Sequence, residues 1–494
     1  MDKQLIDLIK FVKDNGLDND PRITALLCSL ARKPDSNYQK LLLKFLTPKI
    51  VENTLLGNPF TPYPLQEELQ GETEVGLAGI HKPYQRGQGS NPGTVKFKTD
   101  LLTRHMLVAG ATGQGKTVAA YNLIFEFVKQ GLNFVSLSFK RDIRHLISHI
   151  PNLLVFRISD NSNFKWNIFK GNINLLTIVC RVFAETLSLG IGAESMLYQF
   201  VSRLYRQERL TIENLYDAIS KAKFKVFRDV NWKSSLINRL LPFKDIFWKI
   251  LNTEAKMPLM ELQQKYSIDF ELDQAGEYKS FWGTLIPISF YDYRILNNLR
   301  GNKLVIPFLV DEALSIASKE IQHSGYLGDP SLFQLVRLAR EFGIGFCFMT
   351  SQPYSVSDTI KANSTIKVLM NLGRFEEILD LGRSMNLNKE QLEFVSKLVP
   401  GQGIIKIENL KPFPVTFPNI EIEKNVTDEE VDEHNAKLLK NTEFEYLIKP
   451  EPIMIQLEIP EAREEITQKG KALLMDIYNR PYLSISQRMR SINL

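Results

Sequence analysis

Eight residues constrain this chain more than anything else in it: GATGQGKT, Gly110 to Thr117. The apolar run HMLVAG leads into them, and the helix-prone run TVAAYNLIFEFVKQG follows. In a strand–loop–helix unit of this kind the glycines let the backbone turn, so that successive N–H groups face inward. A helix starting near Gly115 adds the positive end of its dipole. Such a nest holds phosphate, and the segment fits G-x-x-x-x-G-K-[ST] at every fixed position. Its cradle would be Gly110, Ala111, Thr112, Gly113, Gln114, Gly115, Lys116, Thr117 and Val118. Lys116 would reach the β- and γ-phosphates of ATP, and Thr117 would give a hydroxyl to Mg²⁺. The plainer alternative is a glycine-rich turn with a solvated lysine. The strand before the loop and the helix after it weigh against that.

Hydrolysis also needs carboxylates, and LVIPFLVDEA supplies two at the end of an apolar strand. Asp311 would hold Mg²⁺ through its water shell, and Glu312 would orient and deprotonate the attacking water. An acidic pair at a strand end is otherwise often a helix cap with a solvated acid. The following strand, GFCFMTSQP, ends at Gln352, whose amide would sense the γ-phosphate or hold the water. A turn residue ahead of Pro353 is the alternative. About 195 residues separate Lys116 from Asp311. Intervening strands are therefore expected between the loop strand and the Asp311 strand, as in motors with a catalytic glutamate and unlike small GTPases or nucleotide kinases.

At 494 residues the chain is too long for one ordinary core. Hydrophobic content of 44% and charged content of 24% exclude a disordered, collagenous or disulfide-scaffold protein. Short apolar strands alternate with helical stretches after residue 103, the pattern of an α/β fold with a mostly parallel sheet. Strands are predicted at Met106–Gly110, Phe134–Leu137, Leu153–Ile158, Ile306–Val310, Ile344–Thr350 and Thr365–Asn371. The chain divides into a helical N-terminal region and linker (1–75), a first core part (76–170), an all-α insertion (171–265), a second core part (266–423) and a helical C-terminal region (424–494). No apolar run approaches the roughly 20 residues of a membrane span, and no export signal precedes the first helix. Cys28, Cys180 and Cys347 sit among apolar neighbours and are predicted to be buried and reduced, as in a cytoplasmic protein. A net charge of +5 permits a polyanionic partner without demanding one.

RHMLVAGATGQGKTVAA, FLVDEA, LAREFGIGFCFMTSQP, Asn363 and the strand ending at Arg374 resemble, in that order, the HerA/FtsK superfamily of DNA translocases. PGQGIIKI resembles the closing β segment of HerA-type ATPases. The likeness runs from about residue 76 to 423. It implies a RecA-like ASCE P-loop core, ATP and Mg²⁺ as cofactors, and a homo-oligomer, a hexameric ring, acting on double-stranded DNA. It further implies a basic residue given in trans to the neighbouring subunit's ATP, matched by Arg340 or Arg374. Surface pairing with Glu341 or Glu376 is the alternative for each arginine. A nuclease or other effector partner in DNA processing or antiphage defence would complete the machine. An ATP-controlled scaffold and a pump for conjugation or packaging remain as alternatives. Two departures stand out. Residues 1–75 look helical where HerA has a β-barrel, and the second core strand ends in SLSFKRD, with Ser138 where the family usually has an acid. KAKFKVFRDVNWKSS mixes Lys221, Lys223, Lys225, Arg228 and Lys233 with aromatics, fit either for DNA contact or for a solvated helix face. The tail 471–494 resembles the first half of a winged helix-turn-helix or a plain helical hairpin.

Overall fold

Apolar strands that can be buried on both faces favour a parallel sheet with helices on either side, and the chain builds one around its phosphate loop. The computed structural model describes residues 25, 27–29, 59–60, 63–82, 84–85, 93–323 and 329–448. The C-terminal helix-turn-helix and, apart from Ala25 and Leu27–Ser29, the helices expected over 1–55 lie outside the described residues.

The strands are β1 (Thr73–Ala78), β2 (Thr94–Phe97), β3 (Met106–Ala109), β4 (Val135–Ser138), β5 (Leu153–Arg157), β6 (Ser267–Glu271), β7 (Gly301–Val310), β8 (Phe342–Thr350), β9 (Ile366–Leu369), β10 (Gln402–Ile407) and β11 (Phe413–Thr416). They form one 11-stranded sheet in the order β2-β1-β11-β10-β9-β3-β8-β7-β4-β6-β5. From β9 to β5 every pairing is parallel. The run β2-β1-β11-β10 is antiparallel and joins β9 antiparallel. All nine residues of β8 are buried, as a central parallel strand requires.

The fold is the expected α/β class. Six of its strands coincide with the six predicted ones. β6 was not predicted: Asp269 and Glu271 interrupt its apolar pattern, and it begins where the helical insertion ends. One strand does separate β3 from β7, but it is β8. That strand comes from chain after Asp311, not from the long stretch before it, so sequence distance was the wrong reason for expecting it.

Helix α1 (Lys116–Lys129) runs from the phosphate loop. Its buried Asn122 donates to the carbonyls of Glu74 and Val75, both at 3.0 Å, and Glu126 accepts from the Glu74 N–H at 3.0 Å. The helix after the loop therefore also fastens the antiparallel strands. Residues 171–265 are helical throughout their regular structure, as α2 (Ile173–Thr186), α3 (Ile191–Arg206), α4 (Ile212–Lys221) and α5 (Phe227–Ile246), followed by two short helices. They do not build a separate core. Phe243 packs edge-on against Phe281, with ring centres 5.2 Å apart, and stacks on Trp282 at 6.1 Å. Both partners lie on α6 (Lys279–Leu296), which covers the sheet. The cysteine expectation needs one correction. Cys180 and Cys347 are buried, but Cys28 is exposed.

Candidate nucleotide site

Parallel strands bring their C-terminal ends to one edge, and that edge gathers the predicted residues. Gly110 donates its N–H to Thr350 O at the end of β8, and Ala111 donates to Asn371 O just past β9. Gly113 and Gly115 take φ of +82° and +104°, a conformation that side chains with a Cβ rarely adopt. The loop is braced from outside, because Gly401 of the PGQG segment donates to Gln114 O at 3.0 Å. A Cβ on Gly115 would lie 3.2 Å from the Gly401 nitrogen. Gly115 is also the N-cap of α1 and offers no side-chain cap. The first-turn N–H groups are therefore left to an anion.

Lys116 is largely buried, and its Nζ donates to Gly110 O at 2.6 Å and Ala111 O at 3.0 Å. Burial, and after it the Lys140 ammonium, hold its pKa below the ordinary lysine value, while Glu312 pulls it back up. That electrostatic coupling ties Lys116 to the carboxylate end of β7. Thr112 and Gly113 face solvent, and Val118 is half-buried in the first turn of α1.

Asp311 and Glu312 follow β7. Asp311 Oδ1 accepts the Phe139 N–H at 2.8 Å. Its Oδ2 is shut off from solvent and has no hydrogen-bond partner among the described residues. Burial pushes the Asp311 carboxyl up to about 7. An enclosed acid with one unsatisfied oxygen beside a phosphate loop is fitted to a cation. Glu312 Oε2 pairs with Lys140 Nζ at 3.2 Å, and its Oε1 is likewise buried and without a described partner. Thr117 Oγ1 lies 3.4 Å from Asp142 Oδ2. Among the described residues no group of three or more His, Cys, Asp or Glu side chains could cage a metal. Mg²⁺ is usually held by one or two protein groups plus substrate phosphates and water. Thr117 and Asp311 are the residues that would hold it, and it would neutralise charge on the phosphates.

Gln352 is on the same edge, exposed, with its N–H on Thr350 Oγ1 at 3.0 Å. The two arginines part company. Arg374 is exposed just past β9, on the phosphate edge, at the start of a helix over Phe375–Ser384. Arg340 is exposed ahead of β8, whose nine residues put roughly 30 Å of strand between it and that edge. Neither arginine makes an ion pair with a described residue, and Glu341 pairs with Arg300 at 3.4 Å instead. In the basic stretch Lys233 donates to Ser220 O and Ala222 O, closing the end of α4, and Lys221 pairs with Asp217. Arg228 lies over the Trp232 ring at 4.6 Å, and Lys223 and Lys225 are exposed.

Sequence reasoning missed the residues behind the site. Where β4 shows Ser138 in place of an acid, β6 supplies one. Asp269 is fully buried and accepts from Ser136 Oγ and Ser138 Oγ, each at 2.6 Å. Burial, reinforced by Glu271, raises its pKa well above an ordinary aspartate's. Glu271 in turn holds Arg144 through two short bonds of 2.6 and 2.5 Å. Arg144 also reaches Asp428 at 2.6 Å, at the head of a helix over Asp428–Leu439. Only polar residues inside an apolar strand, SIDFE, hinted at any of this.

No family model matches the chain. Among curated proteins it is 22% identical over 366 residues to the DNA double-strand break repair helicase HerA of Sulfolobus acidocaldarius, covering 66% of each chain. It is 23% identical over 389 residues to the HerA helicase of Sulfurisphaera tokodaii, covering 69% of this chain and 72% of the relative. The chain is a P-loop ATPase similar in sequence to HerA helicases. Among solved structures, the plasmid coupling protein TrwB in complex with a non-hydrolysable GTP analogue superposes with a TM-score of 0.53 at 14% identity. That match covers 71% of this chain and 92% of TrwB, and it speaks for the fold alone. Among the described residues of this HerA-like ATPase, no helix is long and apolar enough to cross a membrane.

Proposed function

We propose that this HerA-like ATPase is a ring-forming motor that uses ATP hydrolysis to move along double-stranded DNA. One observation supports this most. The unsatisfied oxygens of Asp311 and Glu312 end the strand two places from the phosphate loop, in a chain similar to HerA helicases over about two thirds of its length. In that reading the loop N–H groups and Lys116 bind the triphosphate, Thr117 and Asp311 hold Mg²⁺, and Gln352 orients the water near the γ-phosphate. Glu312 accepts the water's proton on a carboxylate oxygen.

A basic residue from a neighbouring subunit would complete each site. Arg374, on the phosphate edge, could serve its own subunit or a neighbour, whereas Arg340 could reach only a neighbour's phosphates. Mechanical work would be delivered to a nuclease or other effector docked on the ring.

The test uses the full chain and a duplex carrying a third strand. Displacement of that strand with ATP, and none with a non-hydrolysable analogue, is expected. ATP-dependent assembly with no displacement would favour a scaffold and overturn the motor.

A further inference from the structure

The loop after β4, residues 139–146, touches both groups assigned to the metal and the carboxylate assigned to the water's proton. The Phe139 N–H is on Asp311, Lys140 Nζ is on Glu312, and Asp142 faces the Thr117 hydroxyl. It is not a loose loop. Lys424 binds Asp142 at 2.6 Å. Arg141 binds Asp273 at 2.8 Å, and Arg144 is locked between Glu271 and Asp428. Lys140 is the exception, half exposed on a flexible stem while its neighbours are anchored.

The pair it makes has a consequence for chemistry. A general base needs a lone pair directed at water. Lys140 takes Oε2 of Glu312, and Oε1 is closed off from solvent. With the pair intact, Oε1 is enclosed and Oε2, the oxygen left toward solvent, is shared with a cation. The anion best placed to compete for the Lys140 ammonium is a phosphate group on the neighbouring Lys116 loop.

We infer that Lys140 is a latch on Glu312, a positioning residue that keeps the carboxylate from water until a bound phosphate draws the ammonium away. This rests on Glu312 being the base. Among the described residues Lys140 makes no other hydrogen bond or ion pair, so its removal leaves the loop's remaining anchors in place. The latch sits on a loop that also joins the site to Lys424 and Asp428, so movement there would be felt at Glu312.

The experiment takes the full chain without DNA. Lys140→Met should raise kcat for ATP at least threefold while KM changes no more than threefold, and Lys140→Arg, which keeps the cation, should turn over more slowly than Lys140→Met. A second readout needs no turnover. Acylation of lysines by an N-hydroxysuccinimide ester, followed by mass spectrometry, should modify Lys140 at least threefold faster in Glu312→Gln than in the parent chain, with Lys221 unchanged. A Lys140→Met rate equal to or below the parent, or a raised KM without a raised kcat, overturns the latch. So does unchanged labelling of Lys140. If instead Glu312→Gln hydrolyses ATP at the parent rate, the base is elsewhere and the latch falls with it; a dead Glu312→Gln beside an unaccelerated Lys140→Met removes the latch alone.

Discussion

Two loops meet at the phosphate edge, and they are built in opposite ways. The loop at 110–117 gets its shape from its own residues: two glycines at positive φ, a lysine folded onto its own carbonyls and a helix that starts at once. The loop at 139–146 gets its position from partners far along the chain, at Asp273, Glu271, Asp311, Glu312, Lys424 and Asp428. The first is shaped mainly by its own residues, with a backbone brace from Gly401, and the second by long-range side-chain pairs. They should therefore fail differently when altered.

The largest effect is expected in the local loop. Lys116→Ala removes the charge meant for the β- and γ-phosphates, and turnover should drop by roughly 10²-fold or more. The fold should stay intact, since among the described residues the Lys116 side chain bonds to two carbonyls of its own loop. Steady-state ATPase rates and a urea unfolding midpoint check both halves. A large loss of stability would erase the distinction between the loops.

Next comes the long-range loop. Arg144 and Glu271 are 5% and 0% exposed. Arg144→Met strands a buried carboxylate, and breaking such a pair costs about 3–5 kcal/mol. The urea midpoint should fall, and turnover should fall with it as Phe139 and Asp142 lose their position. Lost activity with an unchanged midpoint would mean that the loop does not depend on its anchors.

The smallest effect lies at the far edge of the sheet, where neither loop reaches. His105 Nε2 donates to Val336 O at 2.7 Å, and its Nδ1 accepts the Phe346 N–H at 3.1 Å, an arrangement that requires the neutral ring. Burial pushes its pKa down to about 4. The unfolded chain takes up that proton near pH 6.5. The stability contribution is therefore full above pH 6.5 and is lost as pH falls toward 4, on the order of 3 kcal/mol in all. His105→Gln should flatten this part of the pH dependence of the urea midpoint. An equal slope in both proteins would show that His105 is protonated without cost.

The contrast between the loops also explains what could be read from sequence. The phosphate loop, Asp311, Glu312 and the six strands carrying them follow from runs of fewer than about 20 consecutive residues, because glycine spacing and apolar runs are local signals. β6 and the Asp269–Glu271–Arg144–Asp428 chain were hidden. Their meaning lies in pairings such as Ser138 with Asp269 or Arg144 with Asp428, 131 and 284 residues apart. A buried acid in a strand looks like a flaw in the pattern until its partner is known. Arg340 shows the converse. Its motif was legible, but its place at the N-terminal end of β8 depends on the direction of that strand in the sheet.

The most direct measurement is ATP turnover by the full chain with and without double-stranded DNA, in the parent and in Glu312→Gln. The expected result is turnover that DNA accelerates in the parent, and in the variant tight binding of ATP–Mg²⁺ with almost no turnover under either condition. Parent turnover indifferent to DNA, or a Glu312→Gln variant as fast as the parent, would contradict a DNA motor whose base is Glu312.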